Sequence, residues 1–161
     1  MKNILTVSNA TALAKKLQLQ QKTIVLCGGC FDILHLGHID FLENAKKKGD
    51  VLFVMVESDE TIKKTKGEKR PMFTQNDRAK MLSSLRFVDT VILLPSLRTD
   101  QEYDEIVQAI RPAIIAVTQH DPGVFHKKRQ AKLVGAKVVM VNKKIPGISS
   151  TKLFQTLSEE L

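Results

Sequence analysis

The residue types able to do chemistry are concentrated in Gly28-Gly29-Cys30-Phe31-Asp32-Ile33-Leu34-His35-Leu36-Gly37-His38. This stretch follows the apolar run Thr23-Ile24-Val25-Leu26 and precedes the amphipathic run Ile39 to Lys48. Glycines without side chains let a backbone approach phosphate closely, and the amides at a helix start point toward it. Histidines at i and i+3 share one helix face, so both rings can reach the same bound group. A strand, a glycine turn, two imidazoles and a helix start make one compact unit. It suits the handling of a polyphosphate.

Two other readings of these residues are weaker. The run Cys27-x2-Cys30-x4-His35-x2-His38 has zinc-ligand types, but zinc fingers place a much longer spacer between the two pairs. Cys27 ends an apolar strand and reads as a small buried residue, and Cys30 as a loop residue whose amide matters more than its thiol. The glycine loop is neither a G-x-G-x-x-G dinucleotide fingerprint nor a P-loop, because no G-K-[ST] follows. A pair of histidines stands where a P-loop has lysine, which points away from hydride transfer and from ordinary kinases.

These residues need a scaffold, and 161 residues suffice for one domain with a proper core. The sequence reads as a single domain over 1–161, with an N-terminal helix within 1–21 and an α/β core over 22–161. Asn9 is a candidate cap for a helix over Ala10 to Gln20. Short Val/Ile/Leu-rich runs at Val51 to Glu57, Val88 to Leu94, Ala113 to Val117 and Lys137 to Val141 join the first strand. Their lack of alternation predicts strands covered on both faces. Between them lie helical patterns at Ile39 to Lys48, Gln75 to Leu85, Glu102 to Ile110 and His126 to Val134, and a last helix opens at Ser149 or Ser150. This order predicts a five-stranded, doubly wound parallel sheet, with ligands at the carboxyl ends of its strands.

Composition narrows the partners. The net charge is +8 and the sequence pI about 9.6, so an anionic partner is expected. The basic residues are dispersed over Lys46 to Lys48, Lys63 to Arg70, Lys127 to Arg129 and Lys143-Lys144. There is no Trp and one Tyr to stack on bases. A phosphorylated small molecule fits better than nucleic acid. No apolar run reaches membrane-spanning length, and the first residues lack a secretory core. No membrane partner is expected, and a cytoplasmic location is.

The segment Gly29-x-Phe31-Asp32-x-x-His35-x-Gly37-His38 resembles the H-x-G-H signature of the cytidylyltransferase-like nucleotidyltransferases. Ser58-Asp59, Lys66-Gly67, Arg70-Pro71, Arg78, Arg86-Phe87-Val88-Asp89 and Gly147-Ile148-Ser149-Ser150-Thr151 keep the order of that family. The resemblance runs from about Lys22 to Leu153. It implies a Rossmann-like fold of the HIGH superfamily. It also implies transfer of AMP or CMP from a nucleoside triphosphate, ATP or CTP, to a phosphorylated small molecule, with release of pyrophosphate. By this resemblance His35, His38, Lys66 and Arg70 are catalytic, Lys66 and Arg70 being mobile cations on a loop. Gly29, Cys30, Phe31, Gly37, Ser149, Ser150 and Thr151 bind nucleotide or phosphate. Asp32 contacts the acceptor or caps the turn, and Arg78 serves the acceptor side or the phosphates. Arg86 pairs with a carboxylate or touches nucleotide. Mg²⁺ is expected with the polyphosphate, Asp32 being its one weak protein ligand. A homodimer is an expectation of the resemblance alone.

Within the family, Gly-Cys-Phe-Asp-Ile-Leu-His and Lys66-Gly67-x-x-Arg70-Pro71 resemble the group that makes ADP-heptose, and a stand-alone transferase with no attached sugar kinase is expected. The segment Gly147 to Thr151 also resembles glycerol-3-phosphate cytidylyltransferases, and archaeal-type adenylyltransferases that build flavin dinucleotide are a third relative. A departure follows the fourth expected strand. Relatives carry a Gly/Asp-rich segment there, and this chain has Thr118-Gln119-His120-Asp121-Pro122-Gly123. His120 is a specificity contact or a loop histidine. A non-catalytic nucleotide-binding module is the alternative from another class.

Overall fold

A computed structural model describes residues 3–143 and 147–159; Lys144, among the basic residues above, lies outside them. The described elements are β1 (Asn3–Thr6), α1 (Val7–Leu19), β2 (Ile24–Gly29), α2 (Leu36–Lys46), β3 (Val51–Val56), α3 (Asp59–Lys66), α4 (Gln75–Ser83), β4 (Thr90–Leu93), α5 (Asp100–Ile110), β5 (Ile114–Thr118), α6 (Val124–Val134), β6 (Lys137–Asn142) and α7 (Ser150–Glu159). The strands form one sheet in the order β1-β4-β3-β2-β5-β6, and every pairing is parallel.

Alternation along the strands explains the unbroken apolar runs. Val25, Cys27, Leu52, Val54 and Val56 pack with Leu42 and Ala45 of α2 and Ala79 and Leu82 of α4. Ile24, Leu26, Phe53 and Ile115 pack on the opposite face with Ala10 and Ala14 of α1, Ile106, Val107 and Ile110 of α5, and Ala131 of α6. The residues of the central strands β2 and β3 thus meet a helix on either face. No described helix is long and apolar enough to cross a membrane.

From β2 the chain moves to β3 and β4 on one side, then crosses back to β5 and β6 on the other. The order reverses between β2 and β5, and a crevice opens outside their carboxyl ends. The glycine loop after β2 and the Thr118 loop after β5 flank that crevice.

Local signals fixed several boundaries. The Thr74 hydroxyl accepts from the Asp77 amide to start α4, and Thr99 and Glu102 form a reciprocal capping box at α5. Three expectations are corrected. The sheet has six strands, because the four-residue β1 adds to the edge strand β4. The first helix starts at Val7 under a Thr6 cap, in place of Ala10 under Asn9. Helix α3 had no apolar period to announce it, since Ile62 is its sole buried residue. Lys66 therefore ends a helix and is not part of a loop.

At Gly49, a Cβ would lie 2.7 Å from Val25 Cγ2 and 2.8 Å from the Thr23 carbonyl oxygen. The oxygen belongs to backbone that accepts from the Asp50 amide at 2.9 Å and has no room to yield. Gly49→Ala is predicted to lower the unfolding free energy by about 1–3 kcal/mol through overpacking. Urea unfolding should show a lower midpoint with an unchanged slope.

Candidate active site

Strand β2 delivers Gly28 and Gly29 to the crevice, and the next three residues turn the chain. Phe31 takes a left-handed φ of 49° and buries its ring at 5.3 Å from that of His38. A Cβ on Gly29 would come within 3.1 Å of the same ring. Asp32 is fully buried. Its Oδ2 accepts from Arg70 Nε at 2.5 Å, and its Oδ1 accepts from the amides of Met72 at 2.8 Å and Phe73 at 3.2 Å. The glycine loop is thereby fastened to the segment entering α4.

This geometry bears on three expected roles. Asp32 has both oxygens bonded inside the protein and does not line the cavity, which favours its turn-capping alternative. Arg70 is 3% exposed, paired with Asp32 and set 4.7 Å over the Phe154 ring of α7. It is a fixed strut where a mobile cation was expected. Arg78, fully buried, donates to the carbonyls of Phe73, Cys30 and Glu57 and to Asp59 at 2.7 Å. It fastens the loops after β2 and β3 and does not line the cavity.

The remaining expected residues do converge. A cavity of about 360 Å³ is lined by Gly29, Cys30, Phe31, His35, Gly37, His38 and Lys66 on one side and by Ser149, Ser150 and Thr151 on another. His35 precedes the first turn of α2 and His38 lies within it. Their rings stack at 3.9 Å with 24° between planes. Both Nδ1 atoms are buried without a hydrogen-bond partner among the described residues. Burial lowers the pKa of His35. Burial, reinforced by His35 and Lys66, lowers that of His38 to about 4. Both imidazoles are neutral at pH 7, and a bound polyphosphate would favour their protonated forms.

Across the cavity, α7 opens with the Ser149 hydroxyl accepting from the Lys152 amide at 3.1 Å. The Ser150 hydroxyl donates to the Ile33 carbonyl at 3.2 Å, tying this helix to the histidine loop. A helix N-terminus with hydroxyls suits an anion. Lys66 ends α3 and lines the cavity with Cys30; burial raises the pKa of the Cys30 thiol, and the Lys66 charge opposes that rise.

The third wall is the departing loop, Thr118 to Pro122, together with Asn142 of β6. His120 adopts a left-handed φ of 56°, a conformation glycine holds without strain. The Gln119 amide donates to the Asn142 carbonyl at 3.1 Å. Phe41 and Asn142 were missed as lining residues. Phe41 lies at i+3 from His38, which was a usable signal, whereas Asn142 reaches the cavity through sheet order alone. Arg86 lies 3.6 Å from Glu43, 86% exposed, and does not line the cavity. Lys46, at the carboxyl end of α2, bonds Asp89 at 2.7 Å.

Cys27 sits in the core, its thiol pushed up to about 12 by burial. Among the described residues no three His, Cys, Asp or Glu side chains are grouped to hold a metal ion.

The chain matches the family described as Cytidylyltransferase-like over residues 26–156. It is 33% identical over 144 residues to the bifunctional protein HldE of Desulfatibacillum aliphaticivorans, covering 89% of this chain and 28% of that protein. It spans 21–27% of the length of three other proteins of that name. The structure is similar to that of a lipopolysaccharide core biosynthesis protein from Thermoplasma volcanium, with a TM-score of 0.59, 32% identity and coverage of 77% of this chain and 97% of the other. Pantoate-beta-alanine ligase from Francisella tularensis, solved in complex with beta-gamma ATP and beta-alanine, shares the fold. Its TM-score is 0.67 at 16% identity, covering 98% of this chain and 77% of that one. The chain belongs to the cytidylyltransferase-like family. At the level of the family, it is an enzyme of the nucleotidyltransferase type.

Two predictions follow from the site's burial. Arg70→Met should lower the unfolding free energy by about 3–5 kcal/mol by stranding Asp32, and adding Asp32→Asn should restore part of it. A histidine whose folded pKa lies below its unfolded value of about 6.5 stabilises the fold above that pH. The contribution is lost as pH falls from about 6.5 toward about 4. The melting temperature of the free protein should therefore drop across this window, and less steeply in His38→Asn. Proton NMR should place the His38 titration well below pH 6.

Proposed function

We propose that this protein transfers AMP or CMP from a nucleoside triphosphate to the phosphate of a phosphorylated sugar or alcohol, most like an ADP-heptose synthase. The observation that carries this reading is the pairing of stacked His35 and His38 with the α7 N-terminus on two sides of one cavity. Relatives named as the bifunctional protein HldE and as a lipopolysaccharide core biosynthesis protein support the phosphosugar direction.

In the transfer, an oxygen of the acceptor phosphate attacks the α-phosphorus in line. The new phosphorus–oxygen bond forms as the α–β bridge breaks, and pyrophosphate leaves with the electron pair. The acceptor phosphate is already ionised, so the protein need only align reactants and neutralise charge. His35 and His38 donate protons in hydrogen bonds to the α- and β-phosphates. The Ser149 to Thr151 turn holds the β- and γ-phosphates, and Lys66 approaches from the end of α3. Magnesium is proposed to accompany the triphosphate on its own oxygens, supplying charge neutralisation.

Pyrophosphate release should require one nucleotide among ATP, CTP, GTP and UTP and one acceptor from a panel including heptose 1-phosphate and glycerol 3-phosphate. His38→Ala should reduce turnover about a hundredfold or more while the far-ultraviolet dichroism is unchanged. Tight nucleotide binding without release for any acceptor would favour a binding module. An active His38→Ala protein would contradict the role given to the pair.

A further inference from the structure

Helix α7 carries the Ser149 to Thr151 turn, yet it is the least embedded helix of the fold. Each of α1 to α6 buries at least one side chain, whereas none of the described residues of α7 is buried. Two contacts fasten it beside the cavity. The Ser150 hydroxyl donates to the Ile33 carbonyl at 3.2 Å, and the Phe154 ring centre lies 4.7 Å from the guanidinium carbon of Arg70. Residues 150 and 154 stand one turn apart on one helix face, so both contacts address the same side.

Both contacts end on the turn that introduces the histidines. Ile33 receives the first directly. Asp32 receives the second through Arg70, whose Nε donates to Asp32 Oδ2 at 2.5 Å. Hydrogen bonds do not satisfy the whole guanidinium, because Arg70 Nη2 is buried with no hydrogen-bond partner among the described residues. A buried N–H without an acceptor is costly. The face of an aromatic ring carries partial negative charge and attracts a cation, the more so where water is excluded. Phe154 supplies that face. An aliphatic side chain would fill the same space and offer no such charge.

We propose that Phe154 is a positioning residue for the triphosphate: its ring, seated on Arg70, sets the Ser149 to Thr151 turn at the distance from His35 and His38 that the β- and γ-phosphates need. The proposal rests on the nucleotidyltransferase reading and deepens it. Phe154 does not line the cavity, so it acts through the placement of α7 and not by touching the ligand. Its effect is confined to ligands that extend to the α7 end. The nucleoside and the α-phosphate lie on the histidine side and are held without it.

Calorimetric titration with magnesium present separates these parts of the ligand. Phe154→Leu should weaken binding of ATP or CTP, whichever the unmodified protein binds, about tenfold, the scale of a desolvated cation–π contact. Inorganic pyrophosphate should weaken with the triphosphate. The corresponding monophosphate, AMP or CMP, should change by less than about twofold. Phe154→Tyr keeps a ring on the guanidinium and should bind all three as the unmodified protein does. Phe154→Met repeats the aliphatic comparison with a second side chain, so that the test does not hang on one variant folding. A merely structural Phe154 would weaken monophosphate and triphosphate alike, and that result would overturn the proposal. So would undiminished triphosphate binding in the aliphatic variants, or a Phe154→Tyr protein as impaired as they are. The expected split, without pyrophosphate release for any acceptor, would uphold the positioning role and contradict the transfer reading. An unmodified protein that binds neither nucleotide would overturn both.

Discussion

The site depends on a buried ion pair between residues distant in sequence. Asp32 belongs to the turn that carries the glycines and introduces the histidines. Arg70 stands 38 residues later, on the segment entering α4, with Phe154 of α7 against its guanidinium. Burying both charges is costly, and mutual attraction alone rarely repays it. Here the two amides of Met72 and Phe73 complete the carboxylate. The pair sets the glycine turn, the start of α4 and the body of α7 relative to one another. Those placements give the cavity its opposing walls. Arg78 does the corresponding work for the loops after β2 and β3.

With these arginines spent on structure, the cavity's capacity for an anion comes from other groups. Two imidazoles held neutral by burial, a lysine at a helix end and the N-terminus of α7 surround the space. A neutral pair of stacked rings is far easier to bury than two cations. The arriving polyphosphate supplies the field that makes the protonated forms favourable. The overall charge of +8 is consistent with attraction of anions at longer range. The site is pre-shaped, but its charge is completed by the substrate.

What could be read in the sequence was local. The histidine spacing and the glycine turn act within a few residues, and the residues of both line one cavity in the structure. The parallel sheet was legible because strands covered on both faces lose their alternation. Lys66 and Arg70 looked alike in sequence, as basic residues between two elements. Only the contact with Asp32 distinguishes a buried strut from a cavity-lining cation, and no periodicity encodes it. Strand β1 escaped notice because four residues on a sheet edge need little hydrophobicity.

The central claim is that one covalent bond forms, between the acceptor phosphate and the α-phosphorus. Phosphorus NMR of the protein with heptose 1-phosphate and each nucleotide observes that bond directly. The account predicts that the sugar monophosphate resonance is replaced by a coupled pair of diphosphate-ester signals, in step with the appearance of pyrophosphate. Accumulation of nucleoside diphosphate and inorganic phosphate, with the sugar phosphate unchanged, would contradict it.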